Sequence, residues 1–114
     1  MPITAFIGTL NYGKAKVTEY MFNAMAQITV PKTQWIKNST LAIIDVYEMS
    51  RFEPPAYLNI VGVYGDAFDN PMGTISLLVN TTEGGVVIKE ELPSTFTGTN
   101  VTITFEFTQT ISKL

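Results

Sequence analysis

The side chains able to do chemistry in this chain carry oxygen. The stretch Gly65-Asp66-Ala67-Phe68-Asp69-Asn70-Pro71-Met72-Gly73 gathers three hard donors, Asp66, Asp69 and Asn70. Calcium takes such ligands. The spacing departs from the EF-hand loop, where donors recur at every second position and a Glu closes the site. Asp, Asn, Gly and Pro also build ordinary turns, and a plain turn is the first reading, with a cation site second. Glu90 and Glu91 are adjacent, so in a strand they point to opposite faces and cannot form the carboxylate pair of a glycosidase. Asp45 sits inside an apolar run, where burial would demand a partner; an outward, solvated Asp45 is expected. Arg51 stands between Glu48 and Glu53 in a connector that reads as a salt-bridged loop. Gly84-Gly85 lacks the Lys-Ser/Thr that follows in a phosphate-binding loop.

Missing residue types remove whole reaction classes. The 114 residues include no Cys and no His. Disulfides, thiolate or imidazole metal sites, and Cys- or His-based catalysis are thereby excluded. No cofactor is implied. Charged residues form 15% of the chain, against about 25% in an ordinary domain. The balance of 7 Lys+Arg to 10 Asp+Glu gives a net charge of −3. Nucleic-acid binding needs clustered cations; here Arg51 is the one arginine, and Lys14 and Lys16 are the only close lysine pair. No apolar stretch is long enough to span a membrane. The opening Met1-Pro2-Ile3-Thr4 shows no basic segment and no apolar signal core. Localisation stays open, with a virion as one setting. Three Asn-x-Ser/Thr sequons, at Asn38, Asn80 and Asn100, read as turn and strand-end composition.

Two further features bear on function. In its opening Met1-Pro2-Ile3 the chain resembles the tautomerase family, whose members use an N-terminal proline as a base. The resemblance covers those residues alone. It implies an enzyme built on two βαβ units, whereas Val86–Leu92 and Thr99–Thr108 read as strands. Trp35, the one tryptophan, lies among Lys32, Gln34 and Lys37 and is the candidate for an exposed carbohydrate-stacking side chain. The bland alternative is that the aromatics are core.

The elements that must position these residues are strands. Sixteen Thr, eleven Ile and nine Val make about a third of the chain β-branched, a composition that packs well on a pleated surface. Val101–Thr108 alternates apolar and polar, the mark of a half-buried strand. Ile3–Leu10 (ending at Asn11-Tyr12-Gly13), Leu41–Glu48, Tyr57–Tyr64, Thr74–Asn80 and Val86–Leu92 are further strands, the last two a hairpin. Lys14–Val30 fits both periods, with strand ahead of helix, and Thr33–Lys37 reads as a short strand. The fold expected is all-β: an antiparallel β-sandwich, jelly-roll or Ig-like, of about seven to nine short strands, forming a single domain over residues 1–114. A closed barrel is the neighbouring option.

Several strands are apolar on both faces. In Leu41–Glu48 the second face carries Ala42, Ile44 and Val46; in Tyr57–Tyr64 it carries Tyr57, Val61 and Val63. A sandwich buries one face of each sheet, so the other faces should meet something else. Tyr57, Val61, Val63, Ile44 and Val46 are therefore the expected interface. The function expected is structural: a homo-oligomer or part of a larger assembly, such as a capsid-decorating, cement or minor capsid protein of a virus or phage. The alternatives are a carbohydrate- or cation-binding module and, more remotely, the tautomerase-like enzyme.

Overall fold

A computed structural model describes all 114 residues. The chain runs through ten strands: β1 (Ile3–Ala5), β2 (Thr9–Val17), β3 (Met21–Pro31), β4 (Thr40–Ile44), β5 (Phe52–Glu53), β6 (Tyr57–Gly65), β7 (Pro71–Asn80), β8 (Gly85–Ile88), β9 (Asn100–Thr110) and β10 (Ser112–Lys113). Two 3-10 turns, Lys32–Gln34 and Tyr47–Arg51, interrupt them, and there is no α-helix.

Eight strands form one antiparallel sheet in the order β1-β4-β8-β7-β6-β9-β3-β2, and β10 pairs with β5 apart from it. The ends of that order meet. The Met1 amine donates to the Ala15 carbonyl at 3.0 Å, and the Ala15 N–H donates back to the Met1 carbonyl at 3.2 Å. That mutual exchange is the narrow pair of an antiparallel ladder, and with it the sheet is nearly closed as a barrel. The all-β, antiparallel expectation holds; in place of two packed sheets, one sheet curls upon itself. Small inward residues permit this. Ala15, Ala24 and Ala26 are buried on the inner face, and at Gly62 the missing side chain leaves room for Ile103 of the adjacent strand β9, whose Cδ1 would lie 2.6 Å from an added Cβ.

The alternation in β3 sets the inside. Phe22, Ala24, Ala26, Ile28 and Val30 are fully buried, while Met21, Asn23, Met25, Gln27 and Thr29 face outward. Lys14–Val30 is thus two strands with a turn between. β9 pairs with β3 over eleven residues, from Met21↔Thr110 to Pro31↔Asn100. Phe22 and Phe107 meet edge to face at 5.2 Å. Twenty-four buried residues make one continuous core. No buried side-chain nitrogen or oxygen lacks a hydrogen-bond partner.

Several boundaries differ from the sequence expectation. Asn11-Tyr12-Gly13 lies within β2, where a bulge falls between Leu10 and Tyr12. The Asn11 amide reaches over to Gln27 Oε1 (3.0 Å) and Thr29 Oγ1 (2.9 Å), so side-chain bonds accommodate the extra residue. The real β1–β2 turn is at Gly8, in the left-handed region at φ 71°. Thr33–Lys37 contains the end of a 3-10 turn rather than a strand. β4 stops at Ile44 and β8 at Ile88. In β4 a bulge between Thr40 and Ala42 lets Leu41 and Ala42 both be buried.

The loops sort to two ends of an elongated body of 46 × 21 × 20 Å. At one end Phe96 plugs the barrel: it is buried, Tyr64 lies 6.2 Å from its ring, and Lys32 Nζ donates to its carbonyl at 2.8 Å. The β2–β3 turn, the Tyr47–Arg51 turn and the β5–β10 ladder gather at the other end.

Candidate functional site

The five expected interface residues part company. Tyr57, Val61 and Val63 project outward from β6 and are 59%, 59% and 43% exposed, while Leu58 and Tyr64 on the same strand are buried. Ile44 is fully buried and Val46 packs partly against the core. The bulge in β4 and the early end of that strand turn these two inward, so they are structural residues.

Around Tyr57, Val61 and Val63 the outer wall has a clear composition. Val63 lies opposite Thr74 on one side and Thr104 on the other; Val61 lies opposite Ser76; Asn59 lies opposite Leu78, which lies opposite Val87. Further round, Ile43 is exposed on β4. The neighbouring strands β4, β8, β7 and β6 contain no charged residue at all. In the whole eight-stranded sheet only Lys14, Lys16 and Glu106 are charged; the other charges lie in the connections and in the small β5–β10 ladder.

The wall also borders a break in the ladder. β6 pairs with β9 only from Val63 to Gly65. The two chain segments next pair where β5 meets β10, two residues out of step. Pro54 and Pro55, which carry no N–H, fall on the longer side. Ser76 turns both backbone groups away from β6: its N–H goes to Glu90 Oε1 (2.9 Å) and its carbonyl accepts from Lys89 N–H (3.1 Å). Val61, opposite Ser76, therefore aims its own N–H and C=O at the break, where no strand receives them.

The other candidates are placed as follows. Trp35 is 7% exposed, and its indole N–H donates to the Glu90 carbonyl at 3.0 Å. It is a core residue with a satisfied polar edge, so the exposed-binder reading is corrected; the polar neighbours Lys32, Gln34 and Lys37 are exposed while the indole turns inward. Asp66, Asp69 and Asn70 are exposed, and the Asn70 amide donates to Asp66 Oδ1 at 2.6 Å, a bond internal to the turn. No group of three or more acidic side chains comes together anywhere in the chain. Asp45 is exposed and its Oδ1 accepts from Tyr47 N–H at 3.2 Å. Arg51 makes no ion pair; the one salt bridge joins Lys113 to Glu19 at 3.2 Å. Asn80 Oδ1 accepts from the N–H groups of Thr82 and Glu83, and Asn38 sits at φ 72°, so both act as turn residues. Pro2 is exposed with its carbonyl accepting from Asp45 N–H at 2.9 Å, and the βαβ units implied by the tautomerase resemblance do not form.

One surface was missed at the sequence level. A cleft of about 790 Å³ opens at the Tyr47–Arg51 turn, between that turn, the β2–β3 turn and β10. Its one local signal is Asp45 two residues before Tyr47, an Asx turn inside an apparent strand.

Comparison with known protein families, with curated proteins and with solved structures found no match to this chain.

Proposed function

We propose that this chain is a structural assembly protein that packs against further copies of itself through the uncharged wall of β4, β8, β7 and β6. The observation that carries the reading is the lack of any charged side chain on those strands together with the exposure of Tyr57, Val61 and Val63. Depletion of charge with retention of aromatics is the compositional mark of an interface centre. With strands about 4.8 Å apart and residues about 3.3 Å apart, the wall has a footprint of roughly 500 Å². That approaches the roughly 800 Å² per partner of a standard interface, so neighbouring rim residues would complete the contact. The unpaired backbone of β6 beside the wall supports the same reading, since unprotected strand edges invite a second chain. A multi-copy particle, such as a virion, is the setting this role implies.

Light scattering across a concentration series tests it. Concentration-dependent association is expected, weakened by Val61→Lys, which places a charge on the β6 side of the wall without touching the core. A wild-type protein that stays monomeric at high micromolar concentration removes the proposal.

A further inference from the structure

The cleft at the Tyr47–Arg51 turn lies at the end of the barrel, and nothing in the assembly reading uses it. Its volume of about 790 Å³ falls within the range of about 300–1,000 Å³ usual for small-ligand sites. The chemistry of its lining narrows the ligand. Tyr47 stands 83% exposed, and its backbone is anchored by the bond to Asp45 Oδ1. Phe52 adds a half-buried aromatic wall. Hydroxyls come from Thr18, Ser50 and Tyr47 itself. Arg51 brings five N–H donors and has no carboxylate partner, although Glu48 and Glu53 flank it in sequence.

Charge decides between ligand classes. The carboxylates of Glu19 and Glu48 balance the cations of Arg51 and Lys113, and Glu19 and Lys113 already neutralise each other. An anion would gain from Arg51 and lose to Glu48. A wholly apolar ligand would strand the guanidinium donors on binding, which costs affinity. A neutral ring bearing many hydroxyls meets neither penalty: its C–H face can lie on Tyr47, and its hydroxyls can accept from Arg51 and donate to Glu48. We propose that this cleft is a saccharide-binding site, with Tyr47 as the stacking platform and Arg51 as the principal donor.

An NMR titration tests this. The folded, isotope-labelled chain is titrated with methyl glucoside, methyl galactoside, methyl mannoside, N-acetylglucosamine and a glucose trisaccharide. Sugar concentrations run to about 50 mM, past the millimolar range of weak sites. At least one sugar should give saturable shifts confined to the amides of the lining residues Val17–Glu19, Tyr47–Phe52 and Lys113–Leu114. Tyr47→Ala should weaken that binding about tenfold, whereas Tyr47→Phe, which keeps the platform, should stay within about threefold. Because the ligand is neutral, raising salt should leave the affinity unchanged. The same spectra report whether each variant is folded, and Val61→Lys on the wall should leave the sugar shifts as they are. Absence of saturable shifts with every sugar overturns the proposal. So does a Tyr47→Ala variant that binds as well as the parent, or a cleft that responds only to inorganic phosphate in a salt-dependent way.

Discussion

Gly84 and Gly62 mark two ways a residue without a side chain is used in this barrel. Gly84 sits at φ 85°, and a Cβ there would fall 1.8 Å from the Ile44 carbonyl oxygen, while its own carbonyl accepts from Ile44 N–H at 2.8 Å. Backbone meets backbone, so nothing can give way. Gly84→Ala should cost at least about 1–3 kcal/mol, read as a fall in the denaturant midpoint. Gly62 faces the flexible tip of Ile103, and Gly62→Ala should be milder because that side chain can shift. An equal loss for both would contradict the distinction. Phe22 is fully buried near the start of β3, and Phe22→Ala should cost about 3–5 kcal/mol. Trp35→Phe keeps most of the ring volume but leaves the Glu90 carbonyl without the indole donor, a loss of about 1 kcal/mol by chemical denaturation. Trp35 shows where single residues defeat sequence reading. Its polar neighbours point to exposure, yet Lys32 and Gln34 lie on a 3-10 turn with no buried residue of its own, and Trp35, which caps that turn, faces inward; without the turn's geometry, its orientation has no local signature.

At the scale of strands, β6 offers the sharpest test. Its inward residues bond to β7, while Val61 directs its backbone toward the break beside β9. By the same alternation Asn59 and Tyr57 do so too. Amide exchange should be fast at Tyr57, Asn59 and Val61 and slow at Leu58 and Ile60 between them, and association should slow the fast set. Uniform protection along β6 in the dilute protein would show the ladder to be continuous. Strands themselves were largely legible. Alternation located β9 closely, because period 2 survives wherever one face is buried and the other wet, while β-branched runs bounded by turn residues located β6 and β7. It failed at β4, where a bulge breaks the period and puts Leu41 and Ala42 both inside. It failed again at Asn11–Gly13, where turn-forming residues serve as a bulge within β2. The sequence could offer a closed barrel only as the option beside a sandwich, for a different reason: closure depends on Met1 meeting Ala15, and that pairing leaves no mark on local periodicity.

Across the whole molecule, charge is pushed to the ends and the flank is left neutral. Seven charged residues lie among the connections at the plugged end, seven around the cleft end, and three in the sheet. Association through the flank should therefore depend weakly on ionic strength, while a contact made end to end would weaken as salt rises; sedimentation at low and high salt separates the two. The order of the strands carries a further consequence, in time rather than in space. β9 lies between β6 and β3, and its pairs with β3 join residues from opposite ends of the chain. Synthesis therefore delivers β9 after every other strand of the eight-stranded sheet. Until residues 100–110 emerge, β3 and β6 each present an open edge and the core lacks Ile103 and Phe105. Such long-range closure belongs to folding on the millisecond-to-second scale. A chain cut before Asn100 should aggregate more readily than one that carries β9, and the interval before β9 arrives is when copies of this protein are most exposed to pairing in the wrong way.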